Sequence, residues 1–126
     1  MKIFLDDLGH TDRKHWVPEG WRVAINFNEF KALIEEADQK NEKIEAISFD
    51  NDLGEGEKEG WEILKWLSEN RPELFRKENV ELGVHSDNNT AKENMESKIK
   101  NWQENVDELV AAKERPDPWA ELDKVK

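Results

Sequence analysis

The chain has 126 residues, of which 36% are hydrophobic and 39% charged, and its formal net charge is −11. That length suits one domain and is short for two cores. The acidic balance, with no long Lys/Arg run, excludes duplex DNA held by counterion release. The sequence has no Cys, which excludes a disulfide framework and a thiolate metal site. Its apolar runs are too short to span a membrane. Met1-Lys2 leads straight into an apolar run without a signal-peptide core, so a cytoplasmic location is expected. Six Trp and five Phe offset the shortage of aliphatics, since each aromatic buries a large area.

Ile3-Phe4-Leu5 is a short apolar run ending in Asp6-Asp7 and predicts a buried strand. Residues 8 to 20, with Gly9, Pro18 and Gly20, predict a long loop. Trp21 to Ile25 alternates apolar and polar, as a half-buried strand does. A helix follows, with Asn26 and Glu29 in capping-box positions and Phe27, Phe30, Leu33, Ile34 and Ala37 on one face. Ile44 to Phe49 predicts the next strand, which ends in Asp50-Asn51-Asp52 before a turn at Leu53 to Gly56. Glu59 to Asn70 predicts a helix with Trp61, Leu64 and Leu67 along one side, stopped by Pro72. Val80 to Val84 predicts a strand ending in His85-Ser86. From Thr90, capped with Glu93, apolar residues at 91, 95, 99, 102, 106 and 109 predict one long final helix. The stretch from Arg115 on, with Pro116, Pro118 and Trp119, reads as an extended tail. Strands alternating with helices imply βα units, hence an α/β fold with a four-stranded, mostly parallel sheet and helices on both faces.

Three strands end in polar clusters: Asp6-Asp7, Asp50-Asn51-Asp52 and His85-Ser86. In an open parallel sheet, ligands bind just beyond such ends. Carboxylates brought that close repel one another unless a cation or proton intervenes, and a hard divalent ion such as Mg²⁺ is the economical answer. Asp6, Asp7, Asp50 and Asp52 are the candidate metal ligands. The helix N-terminus near Thr90 points at the same region and suits an anion. A cation on one side and a helix N-terminus on the other suggest a phosphate-bearing ligand. His85 is placed to move a proton and Ser86 to donate a hydrogen bond to a phosphate oxygen. Taken singly, each acid pair is as readily turn chemistry and His85 a core histidine; it is their shared end of the sheet that points to a site.

Phe4-Leu5-Asp6-Asp7, Ser48-Phe49-Asp50-Asn51-Asp52-Leu53-Gly54 and His85-Ser86-Asp87-Asn88, followed by Asn94-Met95, resemble the cyclic-phosphate-processing receiver domains from about residue 2 to about residue 100. The resemblance implies a receiver-like (flavodoxin-like) three-layer sandwich; with the final helix included, the domain is expected over residues 1–113 and a C-terminal tail over 114–126. It also implies an acidic metal pocket and action on 2′,3′-cyclic RNA ends or cyclic nucleotides. Asp7 matches the family's strand-one acid. Asp50 and Asp52 match the acids of its Asp-His-Asp-Leu-Gly motif, and His85 and Ser86 match its His-Ser pair. Asn88, Asn94 and Met95 complete the pattern.

The chain departs from that pattern at two points. Asn51 stands where the family has a second His, and an amide shuttles no proton at neutral pH. Gly9 and His10 stand where the family carries an Arg, with Arg13 the nearest arginine.

Two functions follow as expectations. One is a metal-dependent phosphodiesterase for cyclic phosphates, with Asp50, His85 and Ser86 catalytic and Asn51, Asn88, Thr90 and Asn94 binding the phosphate ligand. The other is a non-catalytic module that sequesters a phosphate-bearing ligand or docks a protein, a basic partner or a second copy of the chain among them.

Overall fold

The computed structural model describes residues 1–7, 17–54, 56–86 and 88–114. Gly9, His10, Arg13, His15, Trp16, Asp87 and the tail with Pro116, Pro118 and Trp119 lie outside the described residues. Four short strands carry the fold: β1 (Lys2–Leu5), β2 (Trp21–Ala24), β3 (Ala46–Phe49) and β4 (Glu81–Val84). They form one parallel sheet in the order β2-β1-β3-β4. The chain leaves β1 toward one edge and returns past it to β3, so the order reverses between β1 and β3. That reversal opens a crevice at the strand ends, where α/β proteins seat ligands.

Helix α1 (Phe27–Gln39) starts as its sequence requires: the Asn26 side chain accepts the Glu29 N–H at 2.9 Å. Glu29 returns a bond at 3.2 Å, to the N–H of Ile25 rather than of Asn26. The helix ends with Asn41 in the left-handed region (φ 55°), while Glu42 N–H reaches the Ala37 carbonyl at 2.8 Å. That pair of features closes a Schellman turn. Helix α2 (Gly60–Asn70) buries Ile63, Leu64 and Leu67, and Pro72 turns its end into a 3₁₀ turn, Pro72–Phe75. Trp61, expected on that apolar stripe, is instead 37% exposed.

The final helix departs from expectation in two ways. Its cap is Asn88, whose side chain accepts the Ala91 N–H at 3.1 Å, so the first turn begins one residue before Thr90. It is also broken: α3 (Asn89–Glu104) and α4 (Val106–Glu114) meet at Asn105. The Asn105 side-chain amide donates to the Asn101 carbonyl at 2.8 Å and to its Oδ1 at 3.0 Å, competing with the backbone ladder as Asn side chains do.

One strand face carries Ile3, Leu5, Ala24, Ile47 and Phe49, joined by Phe30, Leu33, Ile34 and Ala37 of α1, Ile63, Leu64 and Leu67 of α2, and Met95 and Ile99 of α3. Trp102 and Val106 pack on the same cluster, so the described helices lie on this face, and the helical layer expected on the other face is not among the described residues. Strand alternation turns Phe4, Val23, Ser48 and Gly83 to the other face, in register with one another. No helix among the described residues is long and apolar enough to cross a membrane.

Candidate functional site

The rung Leu5–Phe49–Val84 is followed at once by Asp6, Asp50 and His85. The backbone ladder continues into all three. Asp6 N–H donates to the Ala24 carbonyl at 3.0 Å, Asp50 N–H to Leu5 at 3.0 Å, and His85 N–H to Phe49 at 2.9 Å. These residues are therefore fixed by the sheet rather than hung on loops. By alternation they share the face of Phe4, Ser48 and Gly83. One donor atom from each lies within 4.8 Å of the others, a group able to hold a metal ion. Asp6 and Asp50 are 1% and 4% exposed.

His85 is held on both ring nitrogens and on one face. Its Nδ1 lies 2.6 Å from Ser48 Oγ and its Nε2 3.3 Å from Asp6 Oδ2, while the ring stacks on Phe4 with centroids 4.0 Å apart and planes 13° apart. The small Ser48 side chain lets the ring lie across β3 toward β1. A carboxylate beside Nε2 is favourable when that nitrogen carries a proton or when a cation sits between them; a bare lone pair facing an anion is not. Two carboxylates and one imidazole nitrogen, directed by a hydroxyl on the other nitrogen, also form a donor set of the kind metals use. The residues present thus fit a divalent cation.

The other expected ligands, Asp7 and Asp52, are not among these three residues. The Asp52 carboxylate accepts the Gly54 N–H at 3.1 Å, an Asx turn that orders the β3–α2 connection. The Asp7 carboxylate faces that same connection, 3.7 Å from where a side chain on Gly54 would begin. Ser86 Oγ accepts the Asn88 N–H at 3.2 Å and shapes the approach to α3. Asn51 ties down α2: its carbonyl accepts the Gly60 N–H at 2.8 Å and its side-chain oxygen the Trp61 N–H at 3.4 Å.

All four residues expected to bind phosphate come together. Asn51, Asn88, Thr90 and Asn94 line one groove of about 330 Å³ between α2 and α3, with Trp61, Ala91, Met95 and Lys98. Four residues not expected from the sequence stand beside these groups: Phe4 and Ser48 against His85, and Trp61 and Lys98 in the groove. For the first two the signal was available, because Phe4 and Ser48 each stand two residues before an acid on the same strand face.

A family model for the cyclic-phosphate processing receiver domain matches residues 1–101. No curated protein and no solved structure matches the chain significantly.

Proposed function

The chain belongs to the family of cyclic-phosphate processing receiver domains, and on that premise we propose that it binds a cyclic phosphodiester at the tips of β1, β3 and β4 and opens it by hydrolysis. The observation that carries this reading is the convergence of Asp6, Asp50 and His85 on one rung, with the imidazole directed by Ser48. Asp6 and Asp50 would hold Mg²⁺ through their oxygens, the donors that ion prefers. When bound, a divalent ion polarises the phosphoryl group and lowers the pKa of a bound water. His85 then supplies the proton for the leaving oxygen. Ser48 sets the tautomer and Phe4 the plane of the ring, so Nε2 is the nitrogen that faces the acids.

A second reading, binding without turnover, is favoured by Asn51. The family's second histidine is replaced by an amide whose oxygen is engaged in starting α2. The two readings separate in ³¹P NMR of a short RNA ending in a 2′,3′-cyclic phosphate. The hydrolytic reading requires conversion to a monoester that depends on Mg²⁺ and is lost in His85→Ala and Asp50→Asn. A shifted signal that is never consumed would overturn it and leave the binding module.

A further inference from the structure

The groove beside the metal group has an unusual lining for so acidic a chain. The protein carries 30 Asp and Glu against 19 Lys and Arg. Three other surface grooves each include at least one carboxylate, always beside at least one Lys or Arg: one has Glu96, one Glu69, and one Asp38, Glu42 and Glu73. The groove between α2 and α3 is lined by Asn51, Asn88, Thr90, Asn94 and Lys98 among polar residues, with no carboxylate among the described residues. Its amides have donors to offer. The side-chain oxygens of Asn51 and Asn88 already accept the Trp61 and Ala91 N–H groups, which turns the amide NH₂ of each to other partners. A groove rich in amide donors and holding a lysine suits an acceptor-rich, anionic ligand.

The walls specify more than charge. Trp61 on α2 is one of the described large hydrophobic side chains left exposed. The Lys98 ammonium lies 4.6 Å from the centroid of its ring, so the indole face is electron-rich, accessible and directed toward α3. Ala91 also lines the groove, and Met95, almost fully buried, ties that lining to the core. The groove thus has an aromatic platform, an apolar floor and amide donors around it. Its volume is at the lower end for a small-molecule site. Asn51, the residue next to Asp50, joins it to the metal group.

We propose that this groove is the base-binding half of the site, with Trp61 as the platform for the ligand's nucleobase. The inference rests on the cyclic-phosphate reading above. The nucleobase stacks on Trp61 and displaces Lys98, whose ammonium then meets the ligand's negative charge. The amide nitrogens of Asn51, Asn88 and Asn94 donate to base and ribose acceptors, and the cyclic phosphate extends toward Asp6, Asp50 and His85.

The test compares dissociation constants, measured calorimetrically with Mg²⁺ present, for 2′,3′-cyclic AMP and for ethylene phosphate, a five-membered cyclic phosphate without a base. Wild type should favour 2′,3′-cyclic AMP by about 10-fold or more, the effect of stacking one base on an aromatic ring. Trp61→Leu should erase that preference and leave ethylene phosphate binding unchanged. Lys98→Gln should weaken both ligands, the nucleotide more. Thermal melts of both variants check that these exposed substitutions leave the fold intact. Equal wild-type affinity for the two ligands, or a Trp61→Leu protein that keeps the preference, overturns the base subsite and leaves the cyclic-phosphate reading standing. Binding of neither ligand overturns both. A dinucleotide ending in the same cyclic phosphate distinguishes the sources: tighter binding than 2′,3′-cyclic AMP supports an RNA end, and equal binding a free cyclic nucleotide.

Discussion

Gly60→Ala sets two physical expectations against each other. Gly60 opens α2, and helix propensity alone would make Ala there more stable by up to about 1 kcal/mol. Packing gives the opposite sign. A Cβ at Gly60 would lie 1.9 Å from the Asp50 carbonyl oxygen, 2.8 Å from its carbon and 2.9 Å from Asn51 Cα. These are backbone atoms at the end of a central strand, and they cannot swing aside as a side chain would. Relief requires α2 to move away by about 1 Å, which breaks the 2.8 Å bond from Gly60 N–H to the Asn51 carbonyl. Overpacking of this kind costs about 1–3 kcal/mol, and the lost hydrogen bond adds about 1 kcal/mol. The net destabilisation should be about 2–3 kcal/mol, lowering the urea midpoint by roughly 1 M at a denaturant slope of about 2 kcal/mol/M. Urea titration followed by tryptophan fluorescence measures it. Gly83→Ala is the matched control: a Cβ there meets nothing within 4 Å, so that variant should be neutral or slightly more stable. A Gly60→Ala protein as stable as wild type would refute the close approach of α2 to Asp50 on which the site's placement depends.

Other outcomes are as specific. Ser48→Ala removes the hydroxyl 2.6 Å from His85 Nδ1 and should weaken activity or cation affinity about 10- to 100-fold, seen in kinetics or in cation-dependent melting shifts; an unchanged cation response would detach Ser48 from the site. Asp6→Asn should abolish the rise in melting temperature on adding Mg²⁺, whereas Asp52→Asn should leave it in place, because the Asp52 carboxylate orders a turn; the reverse pattern would move the metal ligands to Asp52. Zn²⁺, which suits imidazole, should bind more tightly than Mg²⁺ and inhibit by drawing in His85, a competition read by adding Zn²⁺ to the Mg²⁺-supported reaction; Zn²⁺ that activates would remove His85 from proton transfer. The Arg22 guanidinium, hydrogen-bonded at 2.7 Å, holds the Glu36 carboxyl below its ordinary range. That contribution is present above the unfolded carboxyl's pKa and is lost as pH falls through the lower folded value. Glu36→Gln should therefore lower the melting temperature slightly at pH 7 and not at pH 3, and an equal difference at both would rule out the ion pair as its cause.

Much of this was legible in the sequence, for reasons that differ by element. The parallel sheet followed from short apolar runs separated by amphipathic stretches, and the Asn26 cap from local chemistry alone. The end of the sheet that carries the acids was also plain. Alternation separates Asp6, which shares parity with Phe4, from Asp7, but it cannot separate Asp50 from Asp52, which both share parity with Ser48; only the structure shows that Asp6 and Asp50 are the carboxylates grouped with His85. The break at Asn105 escaped because the apolar spacing runs through it unbroken, while the side chain that interrupts the ladder is polar. Trp61 escaped because an apolar residue at helical spacing is normally core. Only the packing of α3 beside α2 shows that its ring borders a groove.

Asp6, Asp50 and His85, the three donors of the candidate metal site, stand on a single rung of the sheet, and that gives their placement the character of an address. Connections between the strands can lengthen or shorten without changing it, since none of the donors is measured from a loop. Adding or deleting one residue inside β1, β3 or β4 is different in kind. It exchanges inside for outside along that strand, sending Leu5, Phe49 or Val84 to the donor's place and the donor into the apolar cluster. Divergence among chains built on this plan should therefore accumulate in the connections, while the count of residues from each strand's start to its donor stays constant.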